Sequence, residues 1–141
     1  MNIRYGLSIL GLAASLACGG GGGGGSSSSY SPPPPPPANT VNVGGSAGYG
    51  DTSFTPDTLT VAANTQVTFN WKGGTHTVTS YSVSGSPTFP GVPMPGQSSG
   101  SYSFTFVNPG TYYYRCEYHS TAPVNSSSVA TGMMIGKVVV N

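Results

Sequence analysis

The chain has 141 residues, 22 of them Gly and 13 Pro, and only 5% are charged. Lys and Arg number 4 against 3 Asp and Glu, so no basic stripe exists to bind nucleic acid by neutralising phosphates. Three carboxylates, two of them in the Asp51 to Asp57 stretch, give poor support for a catalytic acid–base pair, and no enzyme activity is expected. Low charge with low hydrophobicity suggests disorder, but nine Tyr, five Phe and one Trp, mostly after Tyr49, argue for a small folded domain behind a tail.

Residues 1–17 read as a secretory signal. Arg4 supplies the positive charge, and the apolar stretch Gly6 to Ala17 is shorter than the roughly 20 residues a membrane-spanning helix needs. Its end, Ala14-Ser15-Leu16-Ala17-Cys18, resembles a bacterial lipobox. That implies cleavage before Cys18, lipidation of its thiol, and an exported chain anchored at the cell envelope, on the periplasmic side or the cell surface. An ordinary signal cleaved nearby, leaving Cys18 free, is the competing reading. With Arg4 removed, Lys72, Arg115 and Lys137 balance Asp51, Asp57 and Glu117, three against three.

Residues 18–40 form a linker. Gly19 to Ser29 is a flexible Gly/Ser coil of about 20 Å, and Pro32 to Pro37 is a polyproline rod adding close to another 20 Å. Such a tether holds a domain clear of a lipid surface.

Residues 41–141 carry the domain. Leu59 and Val61 alternate with polar residues, and Asn64 makes a turn. Val67, Phe69 and Trp71 alternate next, Lys72-Gly73-Gly74 breaks the run, and His76 to Tyr81 resumes it. Tyr102, Phe104 and Phe106 share a face, Asn108-Pro109-Gly110 turns the chain, and Tyr112, Tyr114 and Cys116 share the next. Ile135 to Val140 closes the chain. Nothing sustains a helical period, so the expected class is all-β, a sandwich or barrel of short strands.

Two cysteines invite a Cys18–Cys116 disulfide in an exported protein. If Cys18 is lipidated, Cys116 is instead an unpaired thiol that needs a reason. Its neighbours offer one. Cys116-Glu117-Tyr118-His119 leaves a strand with two residues between thiolate and imidazole, and His76 is the other His of the chain. A His₂Cys site with a long axial Met suits a blue-copper electron-transfer centre. Zinc can use the same ligands, although structural zinc usually collects more cysteines.

These segments resemble the cupredoxins, the plastocyanin-like branch of small blue copper proteins, from about Phe54 to Asn141. Phe54-Thr55-Pro56-Asp57-Thr58-Leu59-Thr60-Val61 and Gln66-Val67-Thr68-Phe69 match the opening strands. His76-Thr77-Val78-Thr79 is similar to the segment carrying the first His ligand. Gly110-Thr111-Tyr112-Tyr113-Tyr114-Arg115-Cys116-Glu117-Tyr118-His119 resembles the family's G-T-Y-x-Y-x-C-x-x-H, and Met134-Ile135-Gly136-Lys137-Val138-Val139-Val140 its M-x-G-x-V-x-V close. The resemblance implies a Greek-key β-sandwich holding one copper ion through His76, Cys116, His119 and Met134. Met133 competes for the axial position, and Met94 is a distant third. Two departures stand out. Met134 follows His119 by 15 positions, far more than usual, so an insertion at the mouth of the site is expected to touch the axial bond, the copper edge or docking. Thr77 stands where Asn is common, and its hydroxyl is expected to hydrogen-bond the Cys116 sulfur.

The implied function is one-electron transfer by a monomer between redox protein partners, with His119 as electron exit. Docking is expected on a neutral patch including Phe89, Pro90, Val92, Pro93 and Met94. Arg115 and Glu117 are expected to be solvated. A copper-binding lipoprotein that buffers or delivers the metal, and a metal-free interaction domain, are the alternatives.

Overall fold

Alternation of apolar and polar residues places one face of each strand inward, and that rule organises the computed structural model, which describes residues 37–45 and 52–141. The signal-like segment, Cys18 and the linker up to residue 36 lie outside the described residues. In the first sheet, β1 (Thr40–Val43) pairs with β2 (Phe54–Thr55) and runs parallel to β4 (Thr65–Trp71), which pairs antiparallel with β7 (Ser101–Phe106). In the second, the order is β3 (Thr58–Val61), β11 (Ile135–Val140), β8 (Gly110–Arg115), β5 (His76–Tyr81) and β6 (Val92–Gln97). A short ribbon joins β9 (Ser120–Thr121) to β10 (Thr131–Gly132). Sheet neighbours such as β11 and β8, or β8 and β5, are not consecutive in the chain, so the chain crosses repeatedly between sheets as a Greek-key sandwich requires.

The expected inward faces are the observed ones for the central strands. Val67, Phe69 and Trp71 of β4 meet Tyr112, Tyr114 and Val138 of the opposite sheet in one core cluster. Phe69 sets its ring edge-on to Tyr114, 5.2 Å between centroids, and stacks on Phe89 at 5.8 Å. Such aromatic pairs add to the area they bury. Phe89 is therefore a core residue, 6% exposed, not part of a docking patch. Its neighbours in sequence are mostly prolines and glycine, which concealed the burial. Asn64 does turn the chain, in a left-handed conformation (φ 64°) between β3 and β4.

β6 is the strand that propensity hides. Val92-Pro93-Met94-Pro95-Gly96-Gln97 contains two residues that cannot donate to a ladder, and it lies at the edge of its sheet, where proline is tolerated. Its register against β5 slips between His76 and Val78, a bulge at the first residue of interest for the site.

Candidate metal centre

Strands β5 and β8 deliver the donor atoms to one end of the sandwich. His76 is the first residue of β5 and only 2% exposed. Its carbonyl accepts the Trp71 indole N–H at 3.1 Å, which ties it to the end of β4. Two glycines in left-handed conformations, Gly44 and Gly74, wall the far side of its ring: a Cβ at either would fall 2.4 or 2.6 Å from Nε2. The ring is thereby held with Nδ1 toward Cys116 Sγ, 3.8 Å away.

Cys116 follows the last residue of β8 and is fully buried, with a free thiol. The turn after it is closed by His119 N–H donating to the Cys116 carbonyl at 3.3 Å, which brings His119 Nδ1 to 3.3 Å from Sγ. The donor atoms of His76, Cys116 and His119 all lie within 4.8 Å of one another. A trigonal set with bonds of about 2.0–2.3 Å puts donors about 3.5–4.0 Å apart, so the three fit around a single ion. Two imidazoles and one thiolate are the donors copper prefers in such a geometry.

Met134 is 5% exposed and precedes β11 with a left-handed backbone (φ 60°). Cys116 N–H donates to its carbonyl at 3.0 Å, which fastens this residue beside the thiolate ligand. Burial alternates from Met134 through Gly136 and Val138 to Val140, as expected, even though the strand itself starts one residue later. Met133 turns outward, 60% exposed, where its sulfur accepts from Thr52 Oγ1 at 3.8 Å, and Met94 is 54% exposed. Of the three methionines weighed, Met134 alone is buried at this end.

Three expectations need correction. Thr77 contacts the sulfur through its backbone: its N–H donates to Sγ at 3.5 Å. Its hydroxyl instead accepts from Glu117 N–H at 2.8 Å and donates to the Arg115 carbonyl at 3.5 Å, because the side chain at 77 faces the β8 backbone. Arg115 and Glu117 are only partly solvated. They are 14% and 25% exposed and form an ion pair at 3.5 Å. Finally, the long segment between His119 and Met134 does not cap the site. It leaves through β9, returns through β10, and is tied between them to the far end of β5: Ala130 N–H donates to the Tyr81 hydroxyl at 3.1 Å, and Ser84 N–H to the Ser126 carbonyl at 2.6 Å. The side left open is a depression lined by Thr75, Tyr118 and His119. Glycines 44 and 74 carried no sequence signal for their part, because walling a ring is a tertiary contact.

No protein-family model and no curated relative matches this sequence. Solved structures do. The reduced Cu(I) form of an amicyanin mutant at pH 4 superposes with a TM-score of 0.50 at 24% identity, over 75% of this chain and 84% of that one. The chain has the cupredoxin fold. Also similar are the oxidised plastocyanin of Dryopteris crassirhizoma, with TM-score 0.48, 24% identity and 72% and 99% of the two chains covered, and the Cu-containing nitrite reductase of Thermus scotoductus SA-01, with TM-score 0.47 and 23% identity over 72% of this chain. The chain spans 22% of the length of that reductase. Within this fold, the donor cluster lies at the start of β5 and just past the end of β8, and Met134 belongs to the buried core.

Proposed function

We propose that this protein is a blue copper carrier that passes single electrons between redox protein partners at the cell envelope. The observation that carries the reading is the convergence of His76 Nδ1, Cys116 Sγ and His119 Nδ1 at the buried end of a cupredoxin fold, beside Met134. Copper, when bound, supplies a one-electron couple between Cu(I) and Cu(II). The chain supplies the rest. His76 and Cys116 are held on strands of one sheet, and the aromatic core below them excludes water. Thr77 N–H draws charge from the sulfur, the kind of contact that sets a potential. His119 is half-buried beside Tyr118, which is 46% exposed, and so is the route by which an electron leaves. Docking of a partner there would use Tyr118, Met94 and Pro93 in place of the buried Phe89. Lipidation of Cys18 would keep the domain at a membrane, with the Gly/Ser and Pro runs as its tether.

Buffering or delivery of copper would favour a loose segment between His119 and Met134. The ties of that segment to Tyr81 and Ser84 support retention instead. Convergence of the donors likewise counts against a metal-free interaction domain. The test is a Cu(II) titration of the reduced full chain followed by visible absorption. An intense thiolate-to-copper band that saturates at one equivalent, bleaches with reductant and is lost in Cys116→Ser is the expected result. A folded chain without that band would overturn the reading.

A further inference from the structure

In a chain where charge is scarce, two charged residues flank the thiolate ligand, one on each side of Cys116. The Arg115 guanidinium and the Glu117 carboxylate reach past the cysteine to each other, Nη2 to Oε1 3.5 Å. Each also grips a different element. The second oxygen of Glu117 accepts from the Met94 N–H of β6 at 3.2 Å. Arg115 donates through Nη1 to the Ser120 carbonyl at 3.3 Å and to its hydroxyl at 3.4 Å, at the start of β9. The Ser120 hydroxyl donates in turn to the Cys116 carbonyl at 2.6 Å. The turn carrying Cys116 and His119 is thus bound on both flanks by one ion pair.

We propose that Arg115 and Glu117 are positioning residues that clasp the metal turn between β6 and β9 and set a balanced pair of opposite charges beside the ligand sulfur. The inference rests on the electron-carrier reading for its redox consequence. A carboxylate near the site favours Cu(II) and a guanidinium favours Cu(I), so the two largely cancel. Removing one leaves the other partly sheltered from water, where screening is weaker than at an open surface. The two single substitutions must therefore shift the potential in opposite directions. A pair that served only to stiffen the turn would give shifts of one sign.

The test uses the copper-loaded full chain and four variants: Glu117→Gln, Arg115→Gln, the double variant and Glu117→Ala. Glu117→Gln removes the charge and keeps an acceptor for Met94, whereas Glu117→Ala removes both. At the wild-type midpoint potential, the Cu(II)/Cu(I) ratio is expected to fall by about threefold or more in Glu117→Gln and to rise similarly in Arg115→Gln. The double variant should return near the wild-type ratio. In the metal-free chain, amide exchange at Met94 should accelerate in Glu117→Ala and stay slow in Glu117→Gln. Shifts of the same sign, no shift, or an unchanged Met94 amide in Glu117→Ala would overturn the clasp. A wild type without the thiolate-to-copper band would instead overturn the carrier reading, and the exchange measurement would still decide the clasp.

Discussion

Tyr114 shows what a single contact imposes. It lies directly across from Gly136 of β11, and a Cβ at Gly136 would fall 2.5 Å from the phenol ring, so a glycine is required there. The ring is fully buried, and its hydroxyl has no hydrogen-bond partner among the described residues. Burial pushes the ionisation of this phenol far above its ordinary 10.0, and the charge of Asp57 adds to the effect. Its folded-state value is raised, so the associated stability is intact below pH 10.0 and is lost as pH climbs beyond it, where the unfolded phenol ionises and the folded one does not. Tyr114→Phe removes a buried hydroxyl that gains nothing from its surroundings. It should raise stability by about 1 kcal/mol at neutral pH and flatten the alkaline loss. Urea unfolding at about pH 7 and about pH 11 checks both; a destabilised variant would show that the hydroxyl has a partner.

At the scale of elements, the β9–β10 ribbon decides where the residues between His119 and Met134 run. The segment begins at His119 of the donor cluster and ends at buried Met134, yet its middle is fastened to Tyr81 and Ser84, at and beyond the far end of β5. It is therefore a side strap on the second sheet. Replacing residues 122–130 with a short Gly-containing turn should leave the copper absorption and its intensity unchanged. Stability should drop by about 1–2 kcal/mol through loss of those hydrogen bonds. A spectrum altered by the deletion would mean that the strap sets the axial contact after all. The ribbon was invisible in sequence because Ser120 to Ala130 is Ser-, Thr- and Ala-rich, with no alternation to mark a strand. The same applies to β6, whose two prolines forbid the usual pattern and are accommodated only because the strand is an edge.

For the molecule as a whole, charge is the informative quantity. The formal net charge of the chain is only +1, and Arg115 and Glu117 are committed to each other. Long-range steering of a charged partner should then be weak. Electron-transfer rates with ferricyanide and with hexaammineruthenium should each change by less than about twofold between low and physiological ionic strength. A steep fall with one reagent and a rise with the other would reveal a local field at the His119 end.

The central strands and the residues of the donor cluster were legible in order along the chain because they depend on local periodicity and spacing. Val67-x-Phe69-x-Trp71 and Tyr112-x-Tyr114-x-Cys116 alternate with period two, and the turn from Cys116 to His119 spans four residues. His76 was identified by residue type, since one other imidazole was available. What needed the folded molecule were contacts between different elements of the fold. These include the choice of Met134 over Met133, the backbone of Thr77 rather than its hydroxyl on the sulfur, and the Met94 amide on Glu117; the glycines that aim His76 and the strap that bypasses the site belong with them. Each follows from strand register across a sheet or from packing between sheets, and a shift of one residue in either would reverse which side chains face the core.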